Sequence, residues 1–318
     1  MRDLPRDVLI HILIRLPAKS LGQFKSVCKY WFSLISSADF VKLHHHQAIS
    51  NTSTNHSRVF IMSCYSLHSA NFASLSCYEG FNDDDTSAIV TLNNPLEKEP
   101  PTHNYELMGS CYGLIYFLLK NDCILLWNPT TQEKRLIPDS STSFSDGTRF
   151  YGLGYDLKKD DYKMVRACHS ISSKSISSEV FNLKTGSWRT VQVSRIDINR
   201  PEEIETFSNG AVHWLVKSVC GSDKTDTILS FDMKEEIFKE IVLPNFTRSE
   251  SAVFVDLGDL KGCLYAVYGG DNGVDLNFWV MKEYGVESSW SMMIRLNCVE
   301  FDSDYYMWPV CFTHEGML

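Results

Sequence analysis

Three short stretches with the same pattern recur at nearly even spacing through this chain. They read WNPTTQEKRLI from Trp127, FNLKTGSWRTV from Phe181 and FDMKEEIFKEI from Phe231. Each has an aromatic residue, then Asn or Asp, then a turn, and an apolar residue ten positions after the aromatic one. With a looser fourth copy at Trp279, the aromatic positions are 54, 50 and 48 residues apart. Such spacing predicts a repeat structure whose units pack against their neighbours.

A second recurring piece precedes three of these stretches. CYGLIYF at 111, NGAVHWL at 209 and KGCLYAV at 261 each have a glycine that leads into an apolar and aromatic run. Short apolar runs bounded by turn residues predict strands, and almost no helical pattern follows residue 50, so the body of the chain is predicted to be all β. The recurring aromatic residues are interpreted as packing between units rather than as a ligand cage; they are Trp127, Trp188, Trp214, Phe231 and Trp279.

The first residues follow a helical pattern instead. Apolar residues at spacing four predict a first amphipathic helix. They are Leu4, Val8, Ile12 and Leu16, with Leu9 and Leu13 beside them. Pro17 lacks an amide donor and is expected to end this helix, after which Ser20 is expected to cap a second one.

The second helix is predicted to carry its own apolar stripe. The members of this stripe recur at steps of three and four, and they are Leu21, Phe24, Cys28, Trp31 and Ile35. Because Cys28 lies on the stripe, we expect it to be a buried and unreactive thiol. Two short helices cannot bury both stripes by themselves, so this segment is expected to dock on another protein.

Charge separates the two parts of the chain. Residues 1–46 hold seven Lys and Arg against three Asp, which gives them a net charge of +4. Because the whole chain has a net charge of −9, the remaining residues carry −13. The acidic body lacks the basic face that phosphate binding needs, which argues against nucleic acid as the main ligand. The asymmetry can instead steer partners of opposite sign.

The ten cysteines are scattered through the chain without a CxxC pair. This distribution favours free thiols over disulfides or a zinc site. No stretch approaches the roughly 20 apolar residues of a membrane span, and charged residues interrupt the N-terminus where a signal peptide would be apolar. We therefore expect a protein of the reducing cytoplasm or nucleus, without a membrane association.

Candidate ligand-binding or catalytic patterns are few. The run His44, His45 and His46 has no accompanying carboxylate or cysteine at ligand spacing and is interpreted as part of a solvated linker stretch within residues 42–58. The acidic run at 83–85 lacks the calcium-loop pattern. YGLGYD at 151–156 has no third glycine at the dinucleotide spacing and is predicted to be a strand with a close backbone approach. No metal, no cofactor and no active site are therefore expected.

The helical segment closely resembles an F-box over about residues 2–44. The resemblance rests on the LPxD start, the RLPAKSL junction and the VCKxW helix, which occur together and in this order. The rest resembles the plant F-box-associated, kelch-like domain through CYGLIYF, LLWNPTTQEKRLIP, LGYDLKKDDYKMVR, EVFNLKTGSWR, GAVHWL, ILSFDMKEEIFKEI and FWVMKEYGVESSW.

This resemblance implies three regions. They are a small all-α F-box module in residues 1–44, a linker in 45–57 and an all-β, propeller-like substrate-binding domain in 58–318. At roughly 50 residues per unit, the last region holds about five blades. Gly210, Gly262 and Gly316 are 52 and 54 residues apart, so Met317 and Leu318 are expected to begin a strand that the sequence does not complete, leaving the propeller incomplete at its C-terminus.

The resemblance also implies a function. F-box proteins are the substrate receptors of cullin-RING ubiquitin ligases: the F-box binds the Skp adaptor, which connects to cullin and the RING subunit, while the second domain captures the protein to be modified. The residues expected to form or support the adaptor surface are Leu4, Pro5, Leu9, Leu13, Pro17 and Trp31. The least repeat-like stretches are candidates for target binding and lie near residues 65–87, 139–149, 169–178, 194–204 and 269–275.

Two other classes of function remain open at this point. The chain also resembles the S-locus F-box proteins of pollen, and membership of that group would imply basic ribonucleases as targets. A sugar-binding propeller or a scaffold without a ligase role would use the same fold. As a substrate receptor the chain itself is expected not to be an enzyme, because ubiquitin transfer is carried out by partner subunits; a propeller enzyme that makes no use of the F-box is the alternative to this reading.

Overall fold

The computed structural model describes most of the 318 residues. It covers residues 4–50, 105–243 and 253–297, and as strands alone residues 58–62, 67–71, 89–92, 312–313 and 316–317, with gaps at 121, 130, 141–143, 145–146, 171, 197, 199–200, 217–225, 261 and 270–274. Contacts divide the described residues into two compact units, one within 1–102 with 128–132 and the other within 103–127 with 133–318.

Four helices form the first part of the chain. They are α1 (Arg6–Leu13), α2 (Ala18–Phe24), α3 (Lys29–Ser36) and α4 (Ala38–Ser50). Their buried apolar side chains make one small core, which consists of Leu9, Leu13, Leu21, Leu34, Ile35 and Phe40. The core takes residues from both predicted stripes, as expected of amphipathic helices. No helix in the described part of the chain is long and apolar enough to cross a membrane.

The predicted second helix is in fact two helices, and this corrects two expectations. Helix α2 begins at Ala18 directly after Pro17, whose φ of −58° suits the position before a helix, so Ser20 lies inside the helix and is not its cap. The chain breaks again at Cys28, which is extended at φ −161°. The Cys28 sulfur accepts the Trp31 amide at 3.5 Å, and the residue is exposed rather than buried, because its side chain serves the start of α3.

The expected linker is also helical at its start. Helix α4 continues to Ser50 and so passes the predicted module boundary at residue 44. His44 is half-buried, not solvated: its Nε2 atom lies 2.9 Å from the Leu16 carbonyl oxygen and its ring lies nearly parallel to that of Phe40. In the part of the chain that is described, no cluster of His, Cys, Asp and Glu is arranged to hold a metal ion.

Four four-stranded antiparallel sheets follow in sequence, and in each sheet every strand pairs with the next. Sheet I contains β4 (Tyr105–Cys111), β5 (Leu114–Leu119), β6 (Ile124–Trp127) and β7 (Lys134–Ile137). Sheet II contains β8 (Thr148–Asp156), β9 (Asp161–Ser170), β10 (Ser175–Asn182) and β11 (Ser187–Arg195). Sheet III contains β12 (Pro201–Ser208), β13 (Ala211–Val216), β14 (Thr227–Asp232) and β15 (Phe238–Ile241). Sheet IV contains β16 (Val253–Leu260), β17 (Cys263–Gly269), β18 (Asp275–Met281) and β19 (Trp290–Asn297).

Two smaller sheets complete the described strands. A three-stranded antiparallel sheet is formed by β1 (Arg58–Met62), β2 (Leu67–Asn71) and β3 (Ile89–Leu92). A two-stranded one is formed by β20 (Phe312–Thr313) and β21 (Gly316–Met317). Residues 298–311 and Leu318 lie outside the described residues, so the expected unfinished blade stays a prediction.

The four large sheets have the arrangement of propeller blades. Their first strands β4, β8, β12 and β16 contact one another, while the fourth strands lie at the outside. A β propeller, as predicted, is the fold in which such meanders pack face to face around an axis.

One turn recurs in the first three copies of the sequence repeat, between the third and fourth strands of a sheet. The residue after each aromatic one accepts a hydrogen bond with its backbone carbonyl oxygen from the backbone amide four positions later. The acceptors are Asn128, Asn182 and Asp232, and the distances are 2.8, 2.9 and 2.8 Å. The three donors are Gln132, Gly186 and Glu236, with φ values of 62°, 65° and 59°. The repeat in the sequence is therefore a repeat of one hydrogen-bonded turn.

The fourth copy departs from this pattern. The aromatic residues Trp127, Phe181 and Phe231 are fully buried, but Trp279, which the sequence aligns with them, is only half-buried. Met281 is 1% exposed instead and pairs with Trp290 across a longer connection that contains the 3₁₀ helix Glu287–Ser289. In this sheet the buried position at the end of the third strand is therefore taken by Met281, two residues after Trp279, with the buried Trp290 opposite it.

The glycines of the YGLGYD stretch mark close contacts between sheets, as predicted. This stretch lies in β8, and a Cβ atom on Gly152 would come within 2.6 Å of both Trp214 and Val212 of sheet III. The Trp214 indole donates to the Tyr151 carbonyl oxygen at 2.7 Å at the same junction. Sheets II and III can therefore approach only because residue 152 has no side chain.

We expect Gly152→Ala to destabilise the propeller by about 1–3 kcal/mol, because the rigid Trp214 ring cannot move aside in a filled core. Chemical denaturation of the full chain measures the change. Lys158→Ala, at an exposed turn of the same sheet, is the control and should leave the midpoint unchanged. An unchanged midpoint for Gly152→Ala would contradict the close approach.

Candidate functional site

Helix α1 has two apolar faces, of which only one is used inside the protein. Leu9 and Leu13 are buried, at 7% and 1% exposed. Leu4, just before the helix, and Val8 and Ile12, beside the buried face, are 59%, 43% and 48% exposed. An outward row of large apolar residues on a short helix is a common form of protein-docking surface.

The residues predicted for adaptor binding fall into three groups. Leu4, Pro5 and Pro17 are exposed and available to a partner. Leu9 and Leu13 belong to the core and can only support the surface. Trp31 is half-buried, with its ring edge-on to Phe24 at a centroid distance of 5.4 Å.

Sequence reasoning missed a second exposed apolar group at the break between α2 and α3. Val27, Tyr30 and Phe32 are 60%, 51% and 56% exposed. A shallow depression beside them is lined by Lys25, Ser26, Cys28, Lys29 and Phe32. The uninterrupted stripe in the sequence concealed this group, since only the break at Cys28 turns these side chains outward.

The connections of the propeller differ strongly between its two ends. At one end, turns between first and second strands are tight. The Tyr112 ring packs edge-on against Tyr155 and Phe207, and the Asn209 amide donates to the Gly262 carbonyl oxygen at 2.9 Å. Adjacent sheets therefore present these turns at the same end, where packing and hydrogen bonds fix them.

The opposite end carries four of the five predicted target loops. In an antiparallel meander the connections from second to third strand, and from each sheet to the next, lie at the end away from the tight turns. The stretches 169–178 and 269–275 join second to third strands, and 139–149 and 194–204 join one sheet to the next; residues 270–274 lie outside the described part of the chain. We call this end of the propeller the loop end. The fifth stretch, 65–87, lies mostly outside the described residues.

An exposed ion pair stands at the loop end beside the start of β8. Arg149 pairs with Asp122, which lies in the connection between β5 and β6, and both side chains are nearly half exposed. Tyr151 lies next to them, and burial, with the Asp122 charge, raises the pKa of its hydroxyl to about 12. The ion pair is polar and accessible whereas Tyr151 is buried, and these three residues include no nucleophile paired with a base.

A buried carboxyl group lies where the first strands of the large sheets meet. Each of these strands pairs with only one neighbour in its sheet. Glu205, on β12, reaches across to β8 and accepts the Leu153 amide at 3.4 Å, and its carboxyl group lies against Gly109 of β4. Glu205 is 7% exposed, and burial raises its pKa to about 8.

A histidine is held neutral at the junction of sheets III and IV. The Nε2 atom of His213 lies 2.7 Å from the Tyr284 hydroxyl, and Nδ1 lies 3.3 Å from the Thr206 carbonyl oxygen. Burial lowers the pKa of His213 to about 4. Partial burial also raises the pKa of the Tyr284 hydroxyl to about 12, while 39% of this residue stays exposed. This pair links neighbouring sheets and does not open to the loop end.

The two regions match two known domain families. The sequence profile of the F-box domain matches residues 1–43, and that of the F-box associated beta propeller domain matches residues 53–316. The chain therefore belongs to the F-box proteins that carry an F-box-associated propeller, a combination found in substrate receptors. F-box domains in general bind Skp-type adaptors, and F-box proteins are generally adaptors rather than enzymes.

Plant proteins are among the similar sequences. F-box/kelch-repeat protein At3g23880 of Arabidopsis thaliana is 31% identical over 311 residues, which cover 92% of this chain and 79% of that protein. F-box protein CPR1 of the same plant is 26% identical over 340 residues, covering 99% of this chain and 78% of that protein. Putative F-box protein At3g21120 is 28% identical, covering 95% and 84%.

We expect Glu205 to make the stability of the propeller depend on pH. Its pKa is raised above the unfolded value of 4.5, so its favourable contribution is complete below pH 4.5 and is lost as the pH rises to about 8. The slope in this window should be on the order of 1.4 kcal/mol per pH unit.

Glu205→Gln should flatten this part of the pH profile, as measured by denaturation of both proteins between pH 5 and about 8.5. Glu235→Gln, at an exposed position, is the control and should follow the wild type. Parallel profiles for wild type and Glu205→Gln would show that the carboxyl group is not buried in the folded state.

Proposed function

We propose that this protein is the substrate receptor of a Skp-cullin-F-box ubiquitin ligase in the cytoplasm or nucleus. The observation that carries the proposal is the combination, in one chain, of an F-box module with exposed apolar residues on its first helix and a propeller domain. The module supplies an attachment site and the propeller supplies a recognition surface. Ubiquitin transfer is then the work of the cullin-bound RING subunit and its conjugating enzyme.

The attachment step is supported by the exposed apolar residues of α1. Leu4, Val8 and Ile12 would contribute apolar area that only a partner can remove from water. The basic balance of residues 1–46, at +4, suits an adaptor with an acidic surface. We therefore assign adaptor docking to this outward row together with Pro5 and Pro17, with Leu9 and Leu13 as its internal support.

The recognition step is supported by the difference between the two ends of the propeller. Loops that take no part in sheet packing are free to vary in sequence and to fit a partner. Four of the predicted target loops lie at the loop end, whereas the tight turns at the other end are fixed by hydrogen bonds within the repeat. A protein target would therefore bind at the loop end and be presented to the rest of the ligase.

Leu4→Ala combined with Pro5→Ala should weaken binding of the Skp adaptor, because truncating anchors at the centre of an interface typically costs about 2 kcal/mol or more. Titration of the full chain with purified adaptor measures the loss. Val41→Ala is a matched control, because Val41 is also exposed, at 54%, but lies on α4. Wild-type affinity of the double variant would rule out this docking surface.

Leu13→Ala separates support from contact. Leu13 is 1% exposed, so its truncation should destabilise the helical module by about 2–5 kcal/mol rather than remove a contact with the adaptor. The far-ultraviolet signal of the helices on heating should report this loss. Weaker adaptor binding with undiminished thermal stability would instead place Leu13 in the interface.

Target capture should depend on salt. The chain beyond residue 46 carries −13, so basic targets are favoured, and screening of exposed charges should weaken their capture between about 0.05 and 0.5 M salt. Affinity purification from the native tissue with proteasome inhibition, followed by washes of rising salt, measures this. Retention of an acidic target at all salt concentrations would remove the electrostatic argument.

A further inference from the structure

The connection from sheet I to sheet II is hydrogen-bonded to sheet II through its first residues, 138–140. The Trp188 indole donates to the Pro138 carbonyl oxygen at 2.6 Å. The Ser140 hydroxyl donates to Glu179 Oε1 at 2.9 Å, and the Arg166 guanidinium donates to Asp139 Oδ1 at 3.2 Å. Residues 138–140 thus have one bond each to sheet II, from three different strands.

Arg166 is the centre of this attachment. Its Nη2 atom donates to Glu179 Oε2 at 2.9 Å. Its guanidinium carbon lies 5.0 Å from the ring centroid of Phe144 and 5.4 Å from that of Trp188. One side chain on β9 therefore contacts two residues of the connection, Asp139 and Phe144, and also the two sheet residues that support them.

Only arginine can make this set of contacts. Its planar group offers separate donors to two carboxylates and a flat face to aromatic rings, whereas a lysine ammonium is a compact charge without such a plane. Arg166 and Glu179 are buried, with side chains 8% and 2% exposed, and neutralise each other. Asp139 is 71% exposed in its side chain and is left as the outward, negative end of the group.

We propose that Arg166 is a positioning residue that holds the start of the 139–149 loop for target capture and directs the Asp139 carboxylate toward a basic side chain of the target. The inference rests on the proposed function, because it assigns a part to one of the connections of the loop end. The inference goes beyond that function in two ways. It names Arg166 as the residue that fixes this connection, and it names a lysine or arginine of the bound protein as the contact of Asp139.

Phe144 offers a direct measure of the attachment. Chymotrypsin cleaves after phenylalanine, and Phe144 is half-buried against Arg166 in the folded protein. Full-length variants, each purified with the Skp adaptor, are treated with chymotrypsin, and the site of each cut is identified by mass spectrometry. Arg166→Met should be cut after Phe144 about tenfold faster than wild type, whereas Lys158→Met, an exposed control on the same sheet, should not.

The double variant Arg166→Met, Glu179→Gln guards against misfolding, because it leaves no unpaired buried charge. It should also be cut faster, with thermal stability and adaptor affinity close to wild type. Asp139→Asn keeps a similar shape and an oxygen acceptor for Arg166, so its rate of cleavage should stay within about twofold of wild type.

Target capture is then measured for the wild type and each of these variants. The measured quantity is the amount of protein that each one retains from a proteasome-inhibited extract of the native tissue. Both Arg166 variants and Asp139→Asn should lose about tenfold or more of the salt-sensitive fraction, while Lys158→Met retains it. If Arg166 had a purely structural role, Asp139→Asn would capture target as well as the wild type does.

Three results would overturn the inference. They are unchanged cleavage after Phe144 in both Arg166 variants, faster cleavage with undiminished capture, and wild-type capture by Asp139→Asn. If the wild-type complex retains no tissue protein at all, the proposed function is itself wrong and the recognition role of Arg166 falls with it; the cleavage rates then report the attachment separately.

Discussion

Among the described strands, none of one large sheet pairs with a strand of another, so side-chain contacts hold these sheets together. Each sheet must therefore fill both faces with groups that fit its neighbours. The fully buried Trp127, Phe181 and Phe231 meet this need in successive sheets. The repeat in the sequence follows from this constraint, since every junction between sheets presents a similar gap.

Buried charges add selectivity to this packing. The Lys163 ammonium of β9 donates to Asp156 at 2.6 Å in its own sheet and to Glu236 at 2.7 Å in the next one, and Arg189 also pairs with Glu236. Such groups are costly to bury and must find their partners. A sheet packed in the wrong register would leave Lys163 uncompensated, so we infer that this network selects one arrangement of sheets II and III.

The sequence predicted those parts of the fold that depend on local pattern. The recurring turns, the strand with Gly152 and the two helical stripes all arise from spacing along the chain. It failed where a single residue changes role through its surroundings: Cys28 caps a helix instead of packing, and His44 packs against Phe40 instead of facing solvent. Arg166 carried no signal at all, because its partners are distant in sequence and come together only when sheet II forms.

The contrast between the ends of the propeller has an evolutionary consequence. Residues at the tight turns, such as Asn209 and Gly262, are bound to one another, so a change there also disturbs folding. Beyond the start of the 139–149 loop, which Arg166 holds, the connections of the loop end are freer to change, and lengthening a surface loop costs little in chain entropy. Copies of such a gene can therefore diverge rapidly in what they recognise while they inherit an unchanged scaffold.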